Sequence, residues 1–547
     1  MHRPLLATLL AATAGIAAAQ TFDPARITAD VKTLSSDSYE GRGPATLGET
    51  KTVAYIVKQM QAGGLQPGGT AAPDGKRGWT QDVPLLRSQI TGSPTLSMAI
   101  AGTPTPLTQG DQIAVRAALT GQKSVSIADA PLVFVGYGVT APERKWDDFK
   151  GQDLKGKIAV VLVNDPDFET GDGDFGGKAM TYYGRWTYKY EEAARRGAAG
   201  ILIVHETAPA SYGWATVKNS NTNTMFDIVR QNPAASHTPL EGWIQRDLAV
   251  TLFKASGLDF DAEKAKARTR DFRAVPLKAT LAANYAVDAQ VITSKNVLGR
   301  LPGTTRADET VIYSAHWDHL GVGAPDAKGD RIYNGAVDNA TGIAALLELG
   351  RTFAKAPRTA RSLVFLAVTA EEKGLLGSEY YAANPVYPLG KTVGVLNMDS
   401  MAVAGPARDF GISGSAKLGL LDMLTAEGAK RNRTFSPEPH PEAGGFYRSD
   451  HFPMAKRGVP AVSFDGGSDL VTGGAAAGEA FAQAYTRDRY HQPADEWSAS
   501  WNLSGMTADL GLLYAVGRDL ATGTVWPNWS ADSEFKAERD KTASARK

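Results

Sequence analysis

Two textures of apolar residues divide the chain. From about residue 290, short unbroken apolar runs alternate with segments whose apolar residues recur at helical spacing. "ETVIYSAHWD", "SLVFLAVTAEE", "TVGVLNMDS" and "PAVSFDGG" are runs of the first kind, and "TGIAALLELGRTFAK" is an amphipathic helix between them. Strands that are apolar on consecutive positions are buried on both faces. The pattern therefore predicts an α/β fold with a doubly wound, mostly parallel sheet and helices on both faces. Upstream, residues 20–81 predict two helices around a Gly-rich turn, with Val53, Ile56, Val57 and Met60 at helical spacing and Gly63-Gly64 as the stop. Between about 82 and 282 the texture is β-rich. "PLVFVGYGV" and "GKIAVVLVND" are punctuated by Gly and Pro, and "RWTYKYEEAARRGAAGILIVHE" reads as a helix feeding a strand. The predicted organisation is one domain split over 20–81 and 283–525, an inserted region 82–282, and a polar tail 526–547 whose end, "EFKAERDKTASARK", is expected to lack order.

Composition narrows the function. A chain of 547 residues with 43% hydrophobic and 21% charged residues is globular and exceeds one ordinary core. Lys+Arg and Asp+Glu both number 58, which leaves no electrostatic footprint for nucleic acid. Residues 1–19 carry basic His2 and Arg3, an apolar run and the small residues "AAA". That is the pattern of a signal peptide cleaved near Ala19/Gln20, so a secreted or periplasmic protein is expected, with no membrane span in the mature chain. With Cys at 0, any metal site must be built from His and carboxylates. Nothing in the sequence fixes the oligomeric state.

Candidate chemistry sits at the predicted strand ends. His316 and Asp318 in "YSAHWDHLG" lie two apart and share a face; a carboxylate beside an imidazole orients its second nitrogen for metal binding. Asp338 in "NGAVDNATG" precedes a helix and, taken alone, reads first as an N-cap or turn residue. Glu371 and Glu372 in "TAEEKGLLGSE" follow an apolar strand, Asp399 in "LNMDS" ends another, and His491 comes from "YHQPADEW". Successive strand ends face the ligand crevice of such a sheet. His316, Asp338, Glu372, Asp399 and His491 are too many for one tetrahedral zinc and suit two ions sharing a carboxylate, with Glu371 to spare; one imidazole per ion among oxygen donors suits Zn²⁺ best, with Co²⁺ or Mn²⁺ as alternatives.

In their order, "SAHWDH", "GAVDNATG", "TAEEKGLLGSEYY", "NMD" and "YHQPADE" resemble the motifs of the co-catalytic zinc aminopeptidases, a family that includes bacterial leucyl aminopeptidases, aminopeptidase Y and glutamate carboxypeptidases. The resemblance covers about 290 to 520. It implies two Zn²⁺ per chain, with Asp338 bridging, His316 and Asp399 on one ion, and Glu372 and His491 on the other. It makes Glu371 the general base, Asp318 the orienter of His316, and His319 no ligand. Residues of about 130–270 resemble a protease-associated domain, which in the family lids the cleft or shapes access. "FYRSDHFPMAKRGVPAV" resembles a segment in which a Tyr stabilises the oxyanion. Phe446 holds the closest equivalent place here, which leaves Tyr447 as the candidate and Asp450 and His451 as supports. The implied function is an exported zinc-dependent exopeptidase acting on the N-terminal residues of peptides. A carboxypeptidase or dipeptidase relative and a glutaminyl cyclase are the alternatives. A non-catalytic binding ectodomain is disfavoured because none of the five ligands is missing, and a serine hydrolase because "GISGS" breaks the G-x-S-x-G pattern.

Overall fold

The computed structural model describes residues 22–546 except 324 and 415, so the expected leader, residues 1–19, lies outside the described residues. Four parallel strands form the centre of the C-terminal half. Arg306–His316 lies between Arg361–Val368 and Thr392–Met398, and Ala461–Asp465 pairs with the latter. Every residue of Arg361–Val368 and of Thr392–Met398 is buried, which is why these runs are apolar on consecutive positions. Since the four strands run the same way, their C-terminal ends open on one edge of the sheet, where the crevice forms.

The helix Gly342–Lys355 is not amphipathic in the expected sense: every residue from Gly342 to Phe353 is buried. Two N-terminal helices, Pro24–Leu34 and Leu47–Ala62, pack on the side that the pattern would leave to solvent. Its charges are buried because they are paired. Glu348 accepts from Arg26 Nη2 at 2.6 Å and from the Asp23 amide at 2.9 Å, and Arg351 Nη1 reaches Asp30 at 2.6 Å. Asp23 also caps the first helix by accepting from Ala25 N, with Pro24 in the first turn.

A second parallel block lies in the inserted region: Ser124–Phe134, Ile158–Leu162, Gly200–His205 and Leu240–Gln245 pair in that order. The 27-residue strand Val275–Leu301 joins the two blocks. It is antiparallel to Ser124–Phe134 in one half and to Arg361–Val368 at its end. It also pairs along most of its length with Thr80–Ile100, from Ala279↔Ile100 to Val297↔Thr80. Positions 82 and 283, where the sequence texture changes, fall inside these continuous strands.

The C-terminal segment departs from expectation. Instead of trailing in solvent, Trp529 donates from Nε1 to Gly458 O at 2.9 Å, and Phe535 stacks on Phe446 with centroids 5.8 Å apart. Buried Arg539 donates from Nη2 to Thr392 O at 3.0 Å. Three anchors hidden among Lys, Glu and Ser are enough to dock it. Among the described residues no helix is long and apolar enough to cross a membrane.

Candidate metal centre

His316 is the last residue of its strand, Asp399 follows Met398 directly, and Glu371 and Glu372 lie three and four residues past Val368. The adjacent parallel strands thus deliver them to one point. Asp338 sits in the irregular turn Ala336–Thr341, which enters the buried helix through a cis Asp338–Asn339 peptide. His491 arrives from the loop after the helix Gly474–Asp488.

The two carboxylate oxygens of Asp338 face different imidazoles. Oδ1 lies 3.2 Å from His316 Nε2 and Oδ2 lies 3.3 Å from His491 Nε2. His316 Nε2 is also 3.3 Å from Asp399 Oδ1, and His491 Nε2 is 3.1 Å from Glu372 Oε2. The five expected ligands therefore converge, with Asp338 between two halves. Ligand atoms of His316, Glu371 and Asp399 lie within 4.8 Å of one another, and so do those of His319, Asp338 and Glu372.

The surroundings fix these side chains. Asp318 does so differently from the orienting role given to it. Its carboxylate lies 3.8 Å from His316 Nδ1, while its own carbonyl is nearer at 3.1 Å. The carboxylate instead accepts from the Glu371 amide at 3.0 Å and the Glu372 amide at 3.4 Å, and so holds the turn that carries both glutamates. Asp495 accepts from the amides of Val337 and Asp338, each at 3.1 Å, and Ser449 Oγ donates to Asp399 Oδ2 at 2.8 Å. Asn339 Oδ1 takes the Gly342 and Ser400 amides. Buried Arg42 donates to the carbonyls of Trp317, Leu34, Asn334 and Gly335 and so ties the His316 and Asp338 loops together. Of these, Asp495 lies inside a motif read only for its histidine. Arg42 carries no local signal, because its partner Trp317 is 275 positions away.

Tyr447 is a core aromatic and not an oxyanion donor. Its hydroxyl donates to Glu534 at 2.9 Å, and its ring packs against Tyr182, Phe446 and Phe452. Asp450 accepts from Ser378 Oγ at 2.6 Å, and His451 packs edge-on to Phe446 at 4.5 Å, so both brace the segment.

Electrostatics describe a cluster short of positive charge. Burial works against a charged His316, yet Asp399, Glu371 and Asp338 carry its pKa well above the usual value. His491 is likewise opposed by burial and raised to about 10 by Asp338 and Glu372. Burial pushes Glu371 well above the ordinary carboxylate range and Asp318 to about 6. Against burial, His316 and His491 hold Asp338 well below its usual value, and His319 and His491 help to hold Glu372 at about 2. Four carboxylates drawing protons onto imidazoles form a donor set that divalent cations satisfy by taking the protons' place. Glu372 Oε1 and both ring nitrogens of His319 are buried, and Nδ1 lies 2.6 Å from Oε1, so His319 steadies Glu372.

Comparison with known proteins agrees with this chemistry. Residues 296–515 match the profile of Peptidase family M28. The chain is 36% identical over 104 residues to a "Probable zinc metalloprotease" of Pyricularia oryzae, covering 19% of this chain and 20% of that protein. It is 29% identical over 226 residues to "Leupeptin-inactivating enzyme 1" of Streptomyces exfoliatus, covering 39% and 47%. The match thus spans between about a fifth and a half of these relatives' length. Among solved structures, the aminopeptidase of Aneurinibacillus sp. strain AM-1 aligns with a TM-score of 0.48 at 20% identity, covering 92% of this chain and 94% of that one.

Proposed function

We propose that this chain, whose residues 296–515 match Peptidase family M28, is an exported zinc-dependent aminopeptidase that removes N-terminal residues from peptides by a two-ion mechanism. The observation that carries this reading is the divided carboxylate of Asp338, with one oxygen toward His316 and the other toward His491. His316 and Asp399 would hold one ion, Glu372 and His491 the other, and Asp338 both. When bound, the pair supplies Lewis acidity toward the scissile carbonyl and acidifies a water, whose pKa at a single zinc already falls to about 7.

The chain's own groups do the rest. Glu371, fixed through its amide by Asp318, takes a proton from the attacking water and returns it to the nitrogen of the leaving amine. Its half-buried carboxyl lies beside His316 and Asp399, within reach of a water between them, where it can hold the proton between the two steps. The substrate's free amino group finds its counter-charge in the surrounding carboxylates. The inserted region, read as containing a protease-associated domain at about 130–270, borders this cleft. The Met180 amide donates to Pro441 O at 3.0 Å, and loop 441–452 leads to Ser449 on Asp399. That contact supports a role in shaping access.

A panel of aminoacyl-nitroanilides and dipeptides tests the reading. Release of the N-terminal residue should stop with chelator and return with zinc. Release of C-terminal residues would favour a carboxypeptidase, and cyclised N-terminal glutamine a cyclase.

A further inference from the structure

Resting on the aminopeptidase reading, we infer that Arg185, Tyr212 and Arg448 form an anion subsite that takes a carboxylate of the substrate. The enzyme then favours peptides with a negative group beyond the scissile bond. The three residues come from separate segments, and fully buried Asn164 gathers those segments. Its main-chain amide donates to Gly184 O at 3.1 Å, directly before Arg185. Its Nδ2 donates to Pro209 O at 2.9 Å, shortly before Tyr212, and to Glu442 O at 3.4 Å, in the loop that leads to Arg448. The Tyr182 ring seals the same junction, 5.2 Å from the ring of Phe452. Arg448 is followed by Ser449, whose hydroxyl holds Asp399, so the junction borders the candidate metal centre.

What sets this place apart is positive charge without an acid. Among the described residues, none of the three side chains donates a hydrogen bond or joins an ion pair. Half-buried Arg185 lies over the Trp186 ring at 5.3 Å, and its Nε is buried without a partner. Burial and the like charge of Arg448 lower its pKa to about 10, with only Tyr212 acting the other way. Arg185 is also the N-cap of the helix Trp186–Arg195, which has no capping side-chain bond and no acid in its first turn. The positive end of that helix adds to the two guanidinia. Exposed Arg448 acts on Glu438, but that acid accepts from the Gly414 amide, and Glu442 faces His440 at 3.3 Å. Elsewhere between the inserted region and the C-terminal half, cations are matched: Arg230 and Arg457 meet on Glu379, and Lys456 on Glu191. A partly buried guanidinium without an acid is costly, and a carboxylate removes that cost by accepting its forked donors.

Steady-state kinetics of the zinc-loaded enzyme on two matched pairs of peptides test this. Leu-Gly against Leu-Gly amide isolates a C-terminal carboxylate, and Leu-Asp amide against Leu-Asn amide isolates a side-chain one. In the parent, the charged member of at least one pair should have a kcat/KM about 10- to 100-fold above its neutral partner, expressed in KM. The pair that shows the preference identifies its source. In Arg448→Met and in Arg185→Met that ratio should fall by about 10-fold, whatever happens to absolute rates, and Arg448→Lys should retain part of it. Circular dichroism confirms folding, and exposed Arg448 carries the test should Arg185→Met not fold. Equal kcat/KM within both pairs in the parent, or a ratio unmoved in folded Arg448→Met, overturns the subsite. A parent that releases leucine from none of the four peptides defeats the aminopeptidase reading instead.

Discussion

The two halves of the chain each bury a histidine among carboxylates, to opposite effect. In the inserted region, His237 donates from Nδ1 to Glu241 at 2.9 Å and from Nε2 to Asp227 at 3.0 Å. Arg230 closes on Asp227 at 2.7 Å and Arg116 on Glu241 at 3.2 Å. Each acid there has a cation, and both ring nitrogens have an acceptor. At the strand ends of the C-terminal half, Asp318, Asp338, Glu371, Glu372 and Asp399 crowd around His316, His319 and His491. Arg42, nearby, donates to carbonyls and to none of these acids. The first cluster is complete as protein. The second is complete only with added positive charge. Histidine next to carboxylate is thus no metal signature by itself; uncompensated acids are what separate a site from a salt bridge.

Substitutions sharpen that contrast. The largest effect belongs to Asp338→Ala, which should abolish activity and most metal binding, whereas Glu371→Gln should keep the metal and lower kcat by about 100- to 10,000-fold. Elemental analysis beside steady-state kinetics separates the two, and a fully active Glu371→Gln would remove that residue from the base role. Asp495→Asn is expected to weaken metal binding by about 10- to 100-fold, since it loosens the Asp338 turn without touching an ion. Zinc titration reads this; an unchanged affinity would leave Asp495 a purely structural anchor.

The smallest effect lies in the inserted cluster and leaves metal content alone. Burial opposes a charged His237, but Glu241 and Asp227 outweigh it and raise its pKa from 6.5 to about 9. The folded value exceeds the unfolded one, so the stabilisation is fully present below pH 6.5 and is lost as pH rises through about 9. It amounts to up to about 3 kcal/mol. Denaturant unfolding between pH 6 and 10 should show that loss in the parent and a flatter profile in His237→Gln; parallel profiles would refute it.

The sequence was most informative where chemistry coincides with chain direction. An apolar run that stops at a carboxylate or imidazole marks a parallel strand's C-terminal end, so His316, Glu371, Glu372 and Asp399 were legible together. What local pattern hides is the partner. Asp318 was read as the neighbour of His316, yet its carboxylate spans to amides 53 and 54 positions onward. The helix Gly342–Lys355 shows an apolar stripe, but nothing in its own spacing announces that Asp30 and Arg26 will cover its charges. The C-terminal segment was misread because its average polarity outweighed Trp529 and Phe535, and packing depends on such single anchors.

The strand Val275–Leu301 and its partner Thr80–Ile100 carry a mechanical consequence. Two polypeptide crossings paired side by side by a long ladder, with one irregularity between Asn284 and Ala286, behave as a beam and not as a hinge, because swinging one half against the other would shear that ladder. The two parallel blocks are thereby joined through main-chain hydrogen bonds, so moving one against the other would break backbone pairing as well as side-chain contacts.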